Sequence, residues 1–171
     1  CALPIYSYMT LGMYEYIVAN LPWYIKWIAW IVGFRGDEQR GFEYLRLAAE
    51  RGRFAADEAR VLEMVLSVRE TRYDQALSIQ RYLQEKYTRS FVLPVTRAQI
   101  LEKMGETEPA AAVYSQVLAK AAAGVPNFNK LDLSTARYTF GLKLIELRRA
   151  DLALPVLLAS IQDARTPWRG K

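Results

Sequence analysis

The sequence of 171 residues contains no histidine and only one cysteine, Cys1. These two residue types supply most protein ligands of zinc and much of the acid–base and nucleophilic chemistry of enzymes. Zinc sites of the Cys/His type, Cys–His nucleophile pairs and histidine-based proton transfer are therefore excluded. An internal disulfide is excluded as well, so cysteine usage leaves the location open between the cytoplasm and the periplasm.

Other catalytic signatures are also missing. Neither of the glycine-rich phosphate-binding patterns, G-x-x-x-x-G-K-[ST] and G-x-G-x-x-G, occurs in the sequence. There is no Ser-x-x-Lys, and acidic pairs such as Asp37–Glu38 lie at predicted helix starts, where carboxylates stabilise the helix dipole. We therefore expect no enzymatic activity, no catalytic residue, no cofactor and no metal site.

Neither nucleic acid nor a membrane is an expected partner. The 23 basic and 18 acidic residues are interspersed, and no basic stripe or nucleic-acid-reading module occurs. A membrane-spanning helix needs about 20 apolar residues, and Pro22 and Lys26 interrupt the apolar N-terminal stretch. We expect a helix whose face of Trp23, Trp27 and Trp30 packs on a neighbouring helix, and an interfacial helix is the alternative.

Turn and cap residues divide the chain into short helices. Pro22 fits a first helical turn, and Asp37 and Thr107 fit N-caps. Gly52 and Gly105 fit helix ends. No segment alternates apolar and polar residues with period two, so strands are not expected. Because short links make consecutive helices antiparallel neighbours, the sequence predicts an all-α fold of about nine helices in antiparallel pairs.

Small residues recur at a regular interval early in every second predicted helix. They are Gly41, Ala76, Ala110 and Ala153, separated by 35, 34 and 43 residues. The last interval equals 34 plus a nine-residue insertion near "AGVPNFNKL". Two further series keep the same phase, twelve residues earlier and four residues later: Ala29, Met64, Ala98 and Gly141, then Leu45, Gln80, Tyr114 and Leu157. We interpret the chain as four helical repeats.

This period, with "RYDQAL" and "MGETEPAAAVY" at the starts of second helices, resembles the tetratricopeptide repeat. The resemblance implies a right-handed α-solenoid of antiparallel helix pairs. It also implies that the small residue of each first helix admits the second helix of the same repeat. The small residue of the second helix then admits the next repeat's first helix. Met64 replaces a small residue and Thr71 replaces the usual turn glycine, so both depart from the pattern.

A narrower resemblance concerns the segment "NLPWYIKWIAWIVGFRGDEQRGFEYLRLAAERG". It is similar to part of the tetratricopeptide repeat protein 39/inclusion-body clearance family and its bacterial relatives, which implies scaffolding rather than catalysis. The array is expected over residues 6–165, followed by a tail at 166–171. Its repeats are expected at about 22–54, 56–88, 90–130 and 132–165.

In the family's register, the first helix of each repeat lines a concave groove. The groove positions fall on Lys26, Trp30, Arg69, Gln99, Lys103 and Tyr138, together with Val65 and Leu142. The resemblance implies that Lys26, Arg69 and Lys103 form a basic track for an acidic or carboxylate-bearing peptide. Gln99 and Tyr138 would hydrogen-bond the peptide backbone. The expected function is a non-catalytic scaffold that binds a protein or peptide in this groove.

Two alternatives stay open. The array is an architectural segment of a larger solenoid that self-associates through an apolar N-terminal face, or it is a lipoprotein scaffold anchored through Cys1. However, "CALPI" is encoded by TGT-GCT-CTT-CCG-ATC, which resembles the end of a sequencing adapter. We therefore expect residues 1–5 to be non-native, in a bacterial metagenomic fragment whose native helix begins near Tyr6. An exposed apolar face is then expected over residues 8–19.

Overall fold

The computed structural model describes residues 7–23, 25–26, 31, 36–52 and 56–165. They form eight α-helices and one short 3₁₀ turn, Phe128–Lys130. The helices are α1 (Ser7–Ala19), α2 (Glu38–Arg51), α3 (Ala56–Arg69), α4 (Tyr73–Lys86), α5 (Val92–Met104), α6 (Thr107–Ala122), α7 (Leu133–Glu146) and α8 (Ala150–Arg165). The described residues contain no β-strand, which confirms the all-α class.

Several sequence-based expectations concern residues outside the described ranges. They are the non-native origin of residues 1–5 with a native start near Tyr6, the recurring small residue Ala29, the groove position Trp30 and the tail at 166–171. The helix expected after Pro22 is described only in part, because Trp23, Ile25, Lys26 and Ile31 are helical. The amide of Lys26 donates to the Pro22 carbonyl at 2.8 Å, which places Pro22 in the first turn as expected.

The chain divides into two compact units, Cys1–Ile79 and Gln80–Lys171, and the boundary falls within α4. In the first unit, α1 packs on α2 and α2 packs on α3. In the second unit, α5 packs on α6, α6 on α7 and α7 on α8. Helices that follow one another along the chain are therefore neighbours within each unit.

Local signals set most of the helix ends. The Asp37 carboxylate accepts a hydrogen bond from the Arg40 amide at 3.0 Å, so the predicted N-cap is confirmed. Gly52 and Gly105 are C-caps, also as predicted. The prediction for Thr107 is wrong by one residue, because Glu106 precedes α6 and Thr107 is its first helical residue.

Three turns that end helices share one backbone geometry. Thr71, Gly105 and Arg148 have φ angles of 59°, 81° and 58°, in the left-handed region, and lie 34 and 43 residues apart. After each of them, the next amide donates to a carbonyl five residues before it, at 2.8–2.9 Å: Arg72 to Ser67, Glu106 to Leu101 and Arg149 to Leu144. This is the Schellman closure of a helix end. Thr71 therefore adopts the conformation of the glycine that it replaces.

Two ion pairs have their arginines at equivalent positions of the period and their glutamates offset by one residue. Arg72, directly before α4, pairs with Glu38 in the first turn of α2 at 3.0 Å. Arg149, directly before α8, pairs with Glu108 in the first turn of α6. Each arginine precedes the recurring small residue of its own helix by four positions. Each unit therefore joins the starts of two successive second helices in the same way.

The core of the first unit forms where α1 crosses α2. A Cβ atom on Gly12 would lie 2.8 Å from the Gly41 carbonyl oxygen, so the two backbones are in direct contact. The Tyr16 ring meets the Phe42 ring edge-on, with centroids 5.9 Å apart, and Leu45 is fully buried beside them. The closest approach at Gly41 is therefore to the preceding helix α1, which the pattern did not predict.

The second unit buries the recurring positions as well. Ala98, Ala110 and Ala153 are at most 1% exposed. A Cβ atom on Gly141 would lie 2.6 Å from Cδ2 of Leu157, so the small residue of α7 admits the bulky residue of α8. Met64, in the first unit, is buried although it is not small.

Candidate functional site

Lys26 and Arg69, the predicted groove residues on described parts of the first unit, are exposed and have partners. Lys26 donates from Nζ to the Ala19 carbonyl at 2.8 Å. The guanidinium carbon of Arg69 lies 5.5 Å from the centre of the Tyr16 ring. Burial and a hydrogen bond to Glu70 raise the pKa of Tyr16 to about 12, so its hydroxyl stays protonated. Val65, also in the expected register, is exposed.

Trp23 departs from the expectation for its helix face. It is 83% exposed, whereas a tryptophan face packed on a neighbouring helix would be buried. Trp27 and Trp30 lie outside the described residues. On α1, Tyr14 and Ile17 are exposed, while Met9 and Met13 pack against the core.

The groove residues of the second unit lie on two helices joined by an ion pair. Gln99 and Lys103 are exposed on α5, and Tyr138 is exposed on α7. Between these helices, Lys143 of α7 lies 3.8 Å from the Glu102 carboxylate of α5. Each groove residue that the structure describes is therefore on the surface, and those of the second unit belong to a linked pair of helices.

A cavity of about 310 Å³ lies where α5 and α7 begin, and we call it the α5–α7 channel. It is lined by Phe91, Val92, Val95, Leu131, Asp132, Thr135, Ala136, Thr139 and Phe140. Most of these side chains are apolar. Asp132 is engaged as the N-cap of α7, where it accepts from the Ser134 amide at 3.1 Å and from the Thr135 hydroxyl at 2.7 Å. The hydrogen bond from Thr135 lowers the pKa of Asp132, so this carboxylate is ionised.

The predicted groove residues continue the channel along the same helix faces. Val92, Val95, Gln99 and Lys103 follow one another at three- and four-residue intervals, which places them on one face of α5. Tyr138 follows Thr135, which lines the channel on α7, by three residues, and residues three apart are neighbours on a helix surface. The channel and the predicted wall therefore form one surface of the second unit.

A second cavity of about 540 Å³ adjoins the channel, and we call it the basic pocket. It is lined by Lys86, Tyr87, Thr88, Arg89, Ser90, Phe91, Val92, Asn127 and Lys130. Three of these side chains are cationic and none is acidic. Phe91 and Val92 line both cavities, so the channel and the pocket are contiguous.

The insertion that interrupts the 34-residue period builds one wall of the basic pocket. Phe128, inside the insertion, is buried and meets the Phe91 ring edge-on, with centroids 6.4 Å apart. The ammonium group of Lys120 lies 5.3 Å from the Phe128 ring centre. The anchored loop holds Asn127 and Lys130 at the pocket. Sequence reasoning missed this site, and the signal available was the insertion itself.

A buried polar group supports the helices behind the channel. The pKa of Tyr114 is raised mainly by burial and, to a smaller extent, by the negative charge of the nearby Glu102 carboxylate. The Tyr114 hydroxyl donates a hydrogen bond to that carboxylate. Tyr114 belongs to α6 and packs on Phe140 of α7, with ring centroids 4.8 Å apart. Since Glu102 also approaches Lys143, side chains of α5, α6 and α7 converge at this point and fix the two walls of the channel.

No group of three or more metal-ligating side chains occurs in the described part of the chain. None of the described helices combines the length and the apolar character needed to cross a membrane. Comparison with protein-family models, curated proteins and solved structures finds no match to the chain. The function is therefore inferred from the geometry of the two cavities.

Proposed function

We propose that the chain is an array of tetratricopeptide-like repeats, a right-handed α-solenoid of antiparallel helix pairs. We further propose that it is a non-catalytic scaffold that binds an extended segment of a partner protein. The binding region is the α5–α7 channel together with Gln99, Lys103 and Tyr138, which continue it.

Recurrence at the sequence period supports the repeat. Thr71, Gly105 and Arg148 close three helices with the same left-handed turn, at the same spacing as the small residues that define the period. The Arg72–Glu38 and Arg149–Glu108 pairs place their arginines at matching positions, four residues before Ala76 and Ala153. Equal spacing in both backbone and side-chain features is typical of a chain built from repeated helix pairs.

The observation that carries the binding proposal is an accessible apolar channel at the predicted groove. Its volume of about 310 Å³ is lined by residues of both α5 and α7, and the Lys143–Glu102 ion pair links these two helices. Ligand sites are typically concave, largely apolar and provided with a few polar groups. Gln99 and Lys103 supply such groups next to apolar lining, which suits the side chains and backbone of an extended peptide.

The proposal gives the first unit a smaller role. Lys26 and Arg69 already contact Ala19 and Tyr16, so moving either onto a ligand would break an existing interaction. Their part in a basic track stays a prediction, as does that of Trp30.

Blocking the channel tests the proposal. Random dodecapeptides displayed on phage are selected on the purified protein, and the enriched peptides are measured by fluorescence anisotropy. We expect Thr139→Trp, which fills the channel from an exposed position, to weaken binding at least about tenfold, or about 1.4 kcal/mol. Thr10→Trp, at an exposed position of α1, is the matched control and should bind like the wild type. Peptides that bind wild type and Thr139→Trp equally would contradict the proposal, as would a selection that enriches no peptide.

A second candidate function is the architectural one, and α8 favours it. Leu154, Leu158 and Ile161 share one face of α8 and are 62%, 53% and 49% exposed. The equivalent first and third positions of α6, Ala111 and Leu118, are buried. Exposed apolar stripes of this kind are typical of association surfaces. If α8 mediates self-association, sedimentation velocity should show dimers as the protein concentration rises. The Leu158→Glu variant should then remain monomeric. Anchoring through Cys1 concerns a residue outside the described ranges.

A further inference from the structure

Two cationic side chains of the basic pocket, Arg89 and Lys130, are not neutralised by a carboxylate of the described residues, because neither forms an ion pair there. Lys86 lies over the Tyr87 ring, with its ammonium group 5.6 Å from the ring centre. Because no acidic residue lines this pocket, the potential inside it is positive and favours an anionic group.

The lining also offers neutral hydrogen-bond donors. Thr88 and Ser90 contribute hydroxyl groups and Asn127 contributes an amide. Charge-assisted hydrogen bonds from arginine and lysine to a carboxylate are about twice as strong as neutral ones. The pocket therefore has the chemistry of a carboxylate-binding site, in a volume large enough for more than one side chain.

The shared lining residues link this charge to the apolar channel. Phe91 and Val92 face both cavities, so a ligand in the channel meets the basic pocket at the end where α5 begins. The complementary ligand has an anionic part next to an apolar part. An extended peptide meets this requirement when acidic residues adjoin a short apolar run.

We propose that the basic pocket binds the acidic residues of a peptide whose adjoining apolar side chains occupy the α5–α7 channel. This inference rests on the proposed function and names its partner class. Arg89 and Lys130 are the residues that select the acidic part. They differ from Lys26, Arg69 and Lys103, which the sequence alone singled out.

Parallel peptide selections test this inference. Random dodecapeptides on phage are selected on wild type, on Arg89→Glu/Lys130→Glu, and on Arg81→Glu/Arg97→Glu, which makes the same charge change at exposed positions outside both cavities. We expect wild type and the control to enrich peptides with acidic residues beside an apolar run. The Arg89→Glu/Lys130→Glu variant should lose the acidic preference. It should also bind the wild-type peptides at least tenfold more weakly, and circular dichroism should confirm that it folds.

The outcomes separate the inference from the proposed function. The inference is overturned if the enriched peptides show no acidic preference, or if both double variants lose the same affinity for them. Peptide binding in the channel still stands in that case, provided that Thr139→Trp weakens it. If the peptides bind Thr139→Trp and wild type with equal affinity, both the inference and the proposed function are overturned. Dodecanoate serves as a lipid probe in the same assay. If it binds in a manner that depends on Arg89 and Lys130 while no acidic peptide is enriched, the anion belongs to a lipid and the peptide proposal is wrong.

Discussion

Gly12 and Gly41 face each other at the point where α1 crosses α2. A Cβ on Gly12 would lie 2.8 Å from the Gly41 oxygen, and a Cβ on Gly41 would lie 2.9 Å from the Gly12 oxygen. In both directions the obstacle is backbone, which has little freedom to move within a helix. The crossing therefore depends on glycine at both positions.

We predict that Gly12→Ala and Gly41→Ala each destabilise the first unit. Overpacking costs about 1–3 kcal/mol, while the better helix propensity of alanine returns roughly 1 kcal/mol. Because the obstacle at both positions is backbone, we expect the upper end of that cost, and urea denaturation should show a net loss of about 2 kcal/mol. Gly141→Ala is the graded control, because its nearest atoms belong to the Leu157 side chain, which can change rotamer. A neutral or stabilising effect at Gly12 and Gly41 would show that the two helices can separate without cost.

Thr71 and Arg148 adopt a conformation that favours glycine. Their φ angles of 59° and 58° lie in the left-handed region, which costs an L-residue roughly 1–2 kcal/mol. We expect Thr71→Gly and Arg148→Gly each to stabilise the protein by about 0.5–1 kcal/mol, after the larger chain entropy of glycine is subtracted. Gly105→Ala is the reverse change at the equivalent turn and should destabilise. Thermal melts measure the change in melting temperature of each variant. If all three variants were stabilised, or all three destabilised, the shared turn geometry would be refuted.

Recurring small residues and groove residues should respond differently to substitution. Ala98 is fully buried in α5 and Lys103 is exposed five residues later. Ala98→Leu should destabilise by about 1–3 kcal/mol or more, because no space is available for the added atoms. Lys103→Glu should change stability by less than about 0.5 kcal/mol, as is usual for an exposed charge. Loss of folding on Lys103→Glu would place that side chain in the core instead of the groove wall.

Much of the helical layout could be predicted because its signals are local. Asp37, Gly52 and Gly105 act on the few residues around them, so their effect is visible in the sequence. The close approach of Gly41 to Gly12 was not predicted, because helix pairing depends on contacts between distant segments and the family's packing rule concerns the following helix. The basic pocket was missed for the same reason, since Arg89 and Lys130 come from loops about 40 residues apart.

Glu63 is a buried carboxylate whose ionisation opposes folding. Burial raises its pKa above 4.5, although a hydrogen bond from Gln75 at 2.8 Å acts in the other direction. Because the folded state holds this proton more tightly than the unfolded chain, the group stabilises the fold at low pH. That contribution is lost as pH rises through its folded pKa.

Glu63→Gln should therefore be more stable than wild type at pH 7, with a difference that narrows as pH falls toward 4.5. The glutamine oxygen can still accept the bond from Gln75. Glu43→Gln, an exposed change within α2 and beyond its first turn, is the control for the loss of one carboxylate. A variant less stable than wild type at pH 7 would mean that an ionised Glu63 is stabilising.

Binding in the α5–α7 channel is the central claim, and NMR titration of the ¹⁵N-labelled protein with an enriched acidic–apolar peptide tests it most directly. We predict saturable shifts at the amides of Val92, Val95 and Thr139, which line the channel, and at Arg89 and Lys130 in the basic pocket. The amides of Leu154 and Leu158 on α8 should stay unchanged. Shifts confined to α8, with none in the channel, would contradict the claim and favour the architectural function.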